Sequence, residues 1–208
     1  GATNKGLAFV GTVNGTSISF GSSGEFESSS PQYISAVFDS GSNKVVIIFN
    51  DNSNSQYGTA VVGTVSGTNI SFGSQTVFQS SLIVYVSAAF DSTLNKIVVA
   101  YTDEGNSNRG TAIVGTVNGT AISFGSSSVF ATGNTTEVNI GYDPVAQKAI
   151  IMYTNDTLSN IGSLVPTTIS GTSLTFETTV TFDSGEVGKS GIAFDSTTNQ
   201  SVIAYEKE

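Results

Sequence analysis

Val45-Val46-Ile47-Ile48-Phe49 is apolar at every position, where a strand with one wet face would alternate. Such a run predicts a strand packed between two neighbouring layers. Each stretch of 52 residues carries four strand signals, which in the second copy cover residues 59–65, 69–72 with a weaker extension to 78, 85–90 and 96–102. Between the first two lies Val65-Ser66-Gly67-Thr68, matching Val13-Asn14-Gly15-Thr16. This pair suits a tight primed hairpin turn, because positive φ costs Gly nothing. A second hairpin is predicted at Asp39-Ser40-Gly41-Ser42-Asn43-Lys44 and at its copies beginning with Asp91, Asp143 and Asp195. There the carboxylate can accept backbone N–H groups of the turn.

The period is strict. Gly15, Gly67, Gly119 and Gly171 recur at a spacing of 52, as do Phe20, Phe72, Phe124 and Phe176, and Phe26, Phe78, Phe130 and Phe182. Phe38-Asp39, Phe90-Asp91, Tyr142-Asp143 and Phe194-Asp195 keep the same spacing. Four copies of 52 account for all 208 residues, and a strand-rich period near this length is the signature of propeller blades. The expectation is an all-β, single-domain β-propeller over 1–208, with four four-stranded blades. The repeats are 6–57, 58–109, 110–161, and 162–208 together with 1–5.

Ile34-Ser35-Ala36-Val37 and its copies are rich in small residues, which places this strand innermost, where room is scarcest. The blade then runs outward through the strands beginning near Val45, Thr59 and Ile70. On that order Gly6 to Val13 should pair with Ser201 to Tyr205, closing the ring through its two ends. The alternatives are two chains completing an eight-bladed ring, or a piece of a longer array.

Charge narrows the functions. The chain has 7 Lys and Arg against 16 Asp and Glu, a net charge of -9, and the scattered cations disfavour nucleic acid. Only 11% of residues are charged, against about 25% usually, so Ser, Thr, Asn and Gly must cover the surface. Without Cys or His, thiol catalysis, His-based triads and ordinary zinc sites are excluded. No apolar run approaches the ~18 residues of a membrane-spanning helix, so no membrane insertion is expected.

Copies two and three share 23 of 52 residues, and the differences gather in two segments. One, at 27–33, 79–85, 131–137 and 183–189, leads into the innermost strand. The other, at 51–57, 103–109 and 155–161, links the middle strands and ends at Tyr57 and Arg109 in the first two cases. Both are expected on one face, which is then the natural binding surface, although surface loops also drift without any role. At the mouth of the central channel the equivalent positions are Tyr33, Tyr85, Glu137 and Lys189. This set can hold a sugar by stacking and hydrogen bonding; equally, Glu137 and Lys189 can pair as a neutral plug. Together with Tyr57 and Arg109 these are the candidate ligand-binding residues.

Leu82-Ile83-Val84 is apolar in an expected exposed loop, which reads as a contact for self-association unless it folds inward onto its own blade. Loops such as Asp51-Asn52-Ser53-Asn54-Ser55 alternate oxygen atoms but lack the bidentate Glu of a calcium loop, so they read as Asx turns. No metal or cofactor is expected.

Ile140-Gly141-Tyr142-Asp143 followed by Ala149-Ile150-Ile151-Met152-Tyr153 resembles the inner-strand phrasing of propeller glycosidases of the sialidase and arabinanase type. Those families have five or six less uniform blades with an arginine cluster or three dedicated acids. Here Arg109 is the single Arg, and the candidate acids are Glu137 and Glu186. The longer phrase from Ala88-Ala89-Phe90-Asp91-Ser92 through Asn95-Lys96-Ile97-Val98-Val99-Ala100-Tyr101, then Gly110-Thr111-Ala112-Ile113-Val114-Gly115, resembles tandem propeller repeats of phage tail, host-recognition and bacterial surface proteins. That resemblance covers all four copies, with departures at Pro166 and Glu177. It implies an extracellular, virion or cell-surface setting and a non-enzymatic role in recognition or adhesion, with a surface glycan or receptor protein as partner. The alternatives are a structural or assembly module of a tail, fibre or surface array, and a degenerate glycosidase.

Overall fold

The computed structural model describes residues 4–208; residues 1–3, which the repeat assignment attaches to the fourth copy, lie outside the described residues. The fold is all-β and antiparallel. A leading half-unit contains β1 (Gly6–Ala8) paired with β4 (Gly24–Glu27), and β2 (Gly11–Asn14) paired with β3 (Ser17–Phe20). The first complete unit runs β5 (Pro31–Asp39), β6 (Lys44–Asp51), β7 (Tyr57–Ser66). Its outer edge is shared by β8 (Asn69–Phe72) and the first part of β9 (Thr76–Asp91). The second continues with the rest of β9, then β10 (Lys96–Asp103), β11 (Arg109–Asn118), β12 (Ala121–Phe124) and the start of β13 (Ser128–Asp143). The third holds the rest of β13, β14 (Lys148–Asn155), β15 (Ile161–Ser170), β16 (Ser173–Phe176) and the start of β17 (Val180–Asp195). The end of β17 pairs with β18 (Gln200–Lys207) as a trailing half-unit.

The strand order within each unit and both hairpins match the pattern in the sequence. Gly15, Gly67, Gly119 and Gly171 each open a two-residue turn with φ of +61 to +64°, the position that a type II′ turn reserves for Gly. Asp91 Oδ1 accepts the backbone N–H groups of Thr93 at 2.8 Å and Leu94 at 3.0 Å, and Asp39, Asp143 and Asp195 hold their turns in the same way.

Core layers lie between successive units. Phe26, Ile47, Phe49 and Val61 fill the first; Val46, Ile48, Phe78, Ile97, Val99 and Tyr101 belong to the second; Val98, Ala100, Ile140, Ile151 and Tyr153 belong to the third. Alternate residues of β6 and β10 therefore enter opposite layers, which is why these strands are apolar throughout. Each fully buried large apolar side chain is worth about 1.5–3 kcal/mol, so these layers dominate the stability of the stack. Aromatic rings brace them: Phe78 lies 5.5 Å from Tyr101 and 5.2 Å from Phe124, and Phe130 lies 5.2 Å from Tyr153.

Two expectations are overturned. The chain does not form a closed four-bladed propeller. The predicted pairing of Gly6 to Val13 with Ser201 to Tyr205 is absent: β1 pairs with β4, β2 with β3, and β18 with β17 alone, while fourteen strands form one open sheet. Closure requires the rotations between successive units to sum to a full turn. The 52-residue period makes each step resemble the last, whereas the angle of a step is set by the shape of the side-chain layer between two units. The second correction concerns Leu82-Ile83-Val84, which lies inside β9 and not in an exposed loop. Ile83 is fully buried and Val84 nearly so, because β9 runs unbroken from the edge of one unit into the next and carries this run into the core.

Candidate functional site

Where each long strand passes from one unit to the next, the ladder slips. The pairing of β9 with β10 jumps between Ala100 and Thr102, and those of β5, β13 and β17 jump at the equivalent places. At these bulges Tyr33, Tyr85 and Glu137 take left-handed backbone, with φ of 48°, 51° and 49°. Such a conformation costs a non-Gly residue about 1–3 kcal/mol and persists only where the surroundings enforce it. A bulge also re-aims a side chain.

The four equivalent positions form a row. The rings of Tyr33 and Tyr85 are tilted against each other with centroids 5.5 Å apart. Burial raises the Tyr85 hydroxyl pKa, and the charge of Glu137 adds to that rise. Burial likewise raises the Glu137 carboxyl, opposed by Lys189 and reinforced by Glu206 and Asp156. Charge thus couples Tyr85 to Glu137 and Glu137 to Lys189, although no ion pair within hydrogen-bonding distance joins the last two.

Beside Tyr85 a cleft of about 170 Å³ opens between the second and third units, lined by Tyr85, Thr102, Glu104, Asn108, Asn134 and Thr136 among others. The two variable segments meet here. The 3-10 turn Glu104–Asn106 supplies one wall, and left-handed backbone at Ser107 and Asn108 returns the chain to β11. The other wall comes from β13, where Asp156 accepts hydrogen bonds from the Asn134 amide at 3.0 Å and the Thr136 hydroxyl at 2.8 Å. The Asn134 N–H is bonded to Thr157 Oγ1 at 2.8 Å. These bonds fix the polar wall in place.

Tyr57 and Arg109 are not brought to the cleft lining. Each begins a strand of the ladder, Tyr57 opposite Asp51 and Leu82, Arg109 opposite Asp103 and Asn134, and Arg109 Nε is buried without a hydrogen-bond partner. The variable segments at 79–85, 131–137 and 183–189 lie inside β9, β13 and β17 as continuous strand, not as the loops expected from their variability. Glu104, Asn108, Asn134 and Thr136 fell within segments marked by their variation, but no local signal separated them from their neighbours. The Asp51 carboxylate, considered as a metal ligand, accepts the Ser53 N–H and hydroxyl at 3.0 and 2.7 Å and the Asn54 N–H at 3.2 Å, as an Asx turn does.

No protein-family model and no curated protein matches the sequence of the chain.

Proposed function

We propose that the chain is a non-enzymatic recognition module that engages a surface glycan at the cleft beside Tyr85. The observation that carries this reading is the position of Tyr85, which lines a cleft of hydroxyl, amide and carboxylate groups while its ring packs against half-exposed Tyr33. An aromatic face bordered by fixed polar side chains is the chemistry that holds a sugar ring. Left-handed backbone at Tyr33, Tyr85 and Glu137 supports a role beyond packing, since strain of this kind concentrates at functional sites. The cleft is smaller than the roughly 300–1,000 Å³ of enclosed small-molecule sites, which suits a modest contact with one residue of an extended ligand and strength gained by multivalency. The resemblance to host-recognition and surface-protein repeats points to the same role at a cell or virion surface.

A glycan array read with the wild-type chain and Tyr85→Ala tests this. Binding that the substitution removes is the expected result; no binding at high protein density counts heavily against recognition.

An assembly role is the second reading, favoured by the apolar side chains left exposed at both ends of the stack. Hydrolysis has less support. The carboxylates acting on Glu137 are Glu206 and Asp156, whereas Glu186 is bonded to the Asn160 amide at 2.8 Å. Polysaccharide hydrolysis abolished by Glu137→Gln would promote it.

A further inference from the structure

Among the described residues the leading half-unit has the two outer strands of a unit and no inner pair, and the trailing half-unit has the inner pair and no outer strands. In each complete unit the second and third strands are joined by seven residue pairs, as from Ile97 with Gly115 to Asp103 with Arg109. Advancing that register by two periods, 104 residues, sets Ser201 against Gly11, Ile203 against Phe9, Tyr205 against Leu7 and Lys207 against Lys5. Within the described residues neither of these edges has a partner.

The side chains at both edges are core types left in water. Tyr101 and Tyr153 are 0% and 3% exposed, while their equivalent Tyr205 is 40% exposed; Val61, Ile113 and Val165 are buried, while their equivalent Phe9 is 57% exposed. Val202, Phe20 and Ile34 are exposed as well, and an open apolar hollow lies between the rings of Phe9 and Phe20. Inside the stack such faces are buried against the next repeat, whereas among the described residues these two have none.

We infer that the trailing half-unit of one chain docks on the leading half-unit of a second copy, completing one four-stranded unit from two chains. The occupant is identified by the repeat itself, because the missing inner strands of the leading half-unit are the sequence equivalents of β17 and β18. The docked β17 also covers Ile34, as the preceding unit covers its equivalent Val86 in β9. The two lysines that meet at the end of the ladder are already neutralised, Lys5 by Glu25 at 2.7 Å and Lys207 by Asp183. The outer corner departs from the internal pattern. Gly21, Gly73 and Gly125 touch the backbone of Thr68, Thr120 and Thr172, but the fourth position is Glu177, so the second copy stands off there and the contact is held by the inner ladder. The two patches differ, so the contact is heterologous and leaves a free edge on each chain for the next.

This inference is independent of the glycan reading and gives the assembly reading a physical form. The test is solution mass by light scattering and sedimentation of the whole chain. Wild type should exceed the single-chain 21.4 kDa at least twofold. Phe9→Glu and Val202→Glu, on opposite edges and both exposed in the single chain, should each return the mass to that of one chain, and Val145→Glu, in a hairpin turn, should not. An equimolar mixture of the first two variants should form a dimer, since each retains the edge the other lacks, and that recovery also shows both to be folded. A single-chain mass for wild type, as expected if these edges instead meet flanking repeats of a longer protein, overturns the inference. So does association that survives both charges, or a mixture that stays monomeric.

Discussion

The Thr102 hydroxyl donates a 2.9 Å hydrogen bond to the carbonyl oxygen of Thr135, and both residues are buried. One belongs to β10 of the second unit and the other to β13 as it enters the third, so the bond ties two units together at the cleft. The same tie recurs 52 residues away on either side, from the Asn50 amide to the Ile83 carbonyl at 2.6 Å and from the Thr154 hydroxyl to the Val187 carbonyl at 3.1 Å. Removing the hydroxyl leaves a buried carbonyl short of a donor. Thr102→Val is therefore expected to cost about 1–3 kcal/mol of unfolding free energy in a urea titration, and Thr102→Ser to recover most of it. A loss in Thr102→Ser with none in Thr102→Val, which keeps the methyl group, would show that packing of the methyl group, and not the tie, is what matters.

Close approach between units makes a second prediction. A Cβ at Gly73 would collide with the carbonyl oxygen of Thr120, and because this obstacle is backbone it cannot rotate aside. Gly73→Ala, in the connection between β8 and β9, should destabilise by about 1–3 kcal/mol, the usual cost of overpacking. Thermal melts of Gly73→Ala against Gly15→Ala separate the effects. Around Gly15 there is open space, so there the cost comes from its positive φ alone.

Tyr85 should ionise above the ordinary tyrosine value of 10.0 because burial and the negative charge of Glu137 both oppose phenolate formation. In an alkaline ultraviolet titration, Tyr85→Phe should remove one late step. Glu137→Gln should move that step to lower pH without removing it. An unmoved step would mean that Glu137 does not act on Tyr85 in solution.

Two carboxyls give opposite pH dependences. Hydrogen bonds from Lys207, the Gly185 N–H and the Tyr205 hydroxyl lower the Asp183 pKa from 3.8 to about 2. Its contribution is therefore complete above 3.8 and is lost as the pH falls toward 2. Glu137 is raised above its ordinary 4.5 by burial, so its favourable contribution is present while it is protonated and is lost as the pH rises through the raised value. Asp183→Asn should flatten the acid limb of a melting-temperature profile, and Glu137→Gln should remove a decline on the neutral side of 4.5. The reverse assignment of the two limbs would contradict these environments.

Much of this molecule is determined locally and was legible in the residues. The Gly67 turn, the Asp91 turn and the apolar run from Val45 to Phe49 each depend on a few neighbours in sequence, so hairpins, strand order and two-sided burial could be read directly. The candidate row from Tyr33 to Lys189 was legible as four equivalent positions, but the left-handed bulges that aim it were not, because nothing in Tyr85 itself announces positive φ. The cleft also escaped the sequence, since Glu104 and Asn134 meet only when two units pack.

Tertiary structure alone decided the ends. Whether Tyr205 reaches Leu7 depends on the angle added at every layer, from Phe26 on Phe49 to Phe130 on Tyr153. A repeat period counts the steps along a stack, whereas the rotation at each step comes from the shapes of the side chains held between the units.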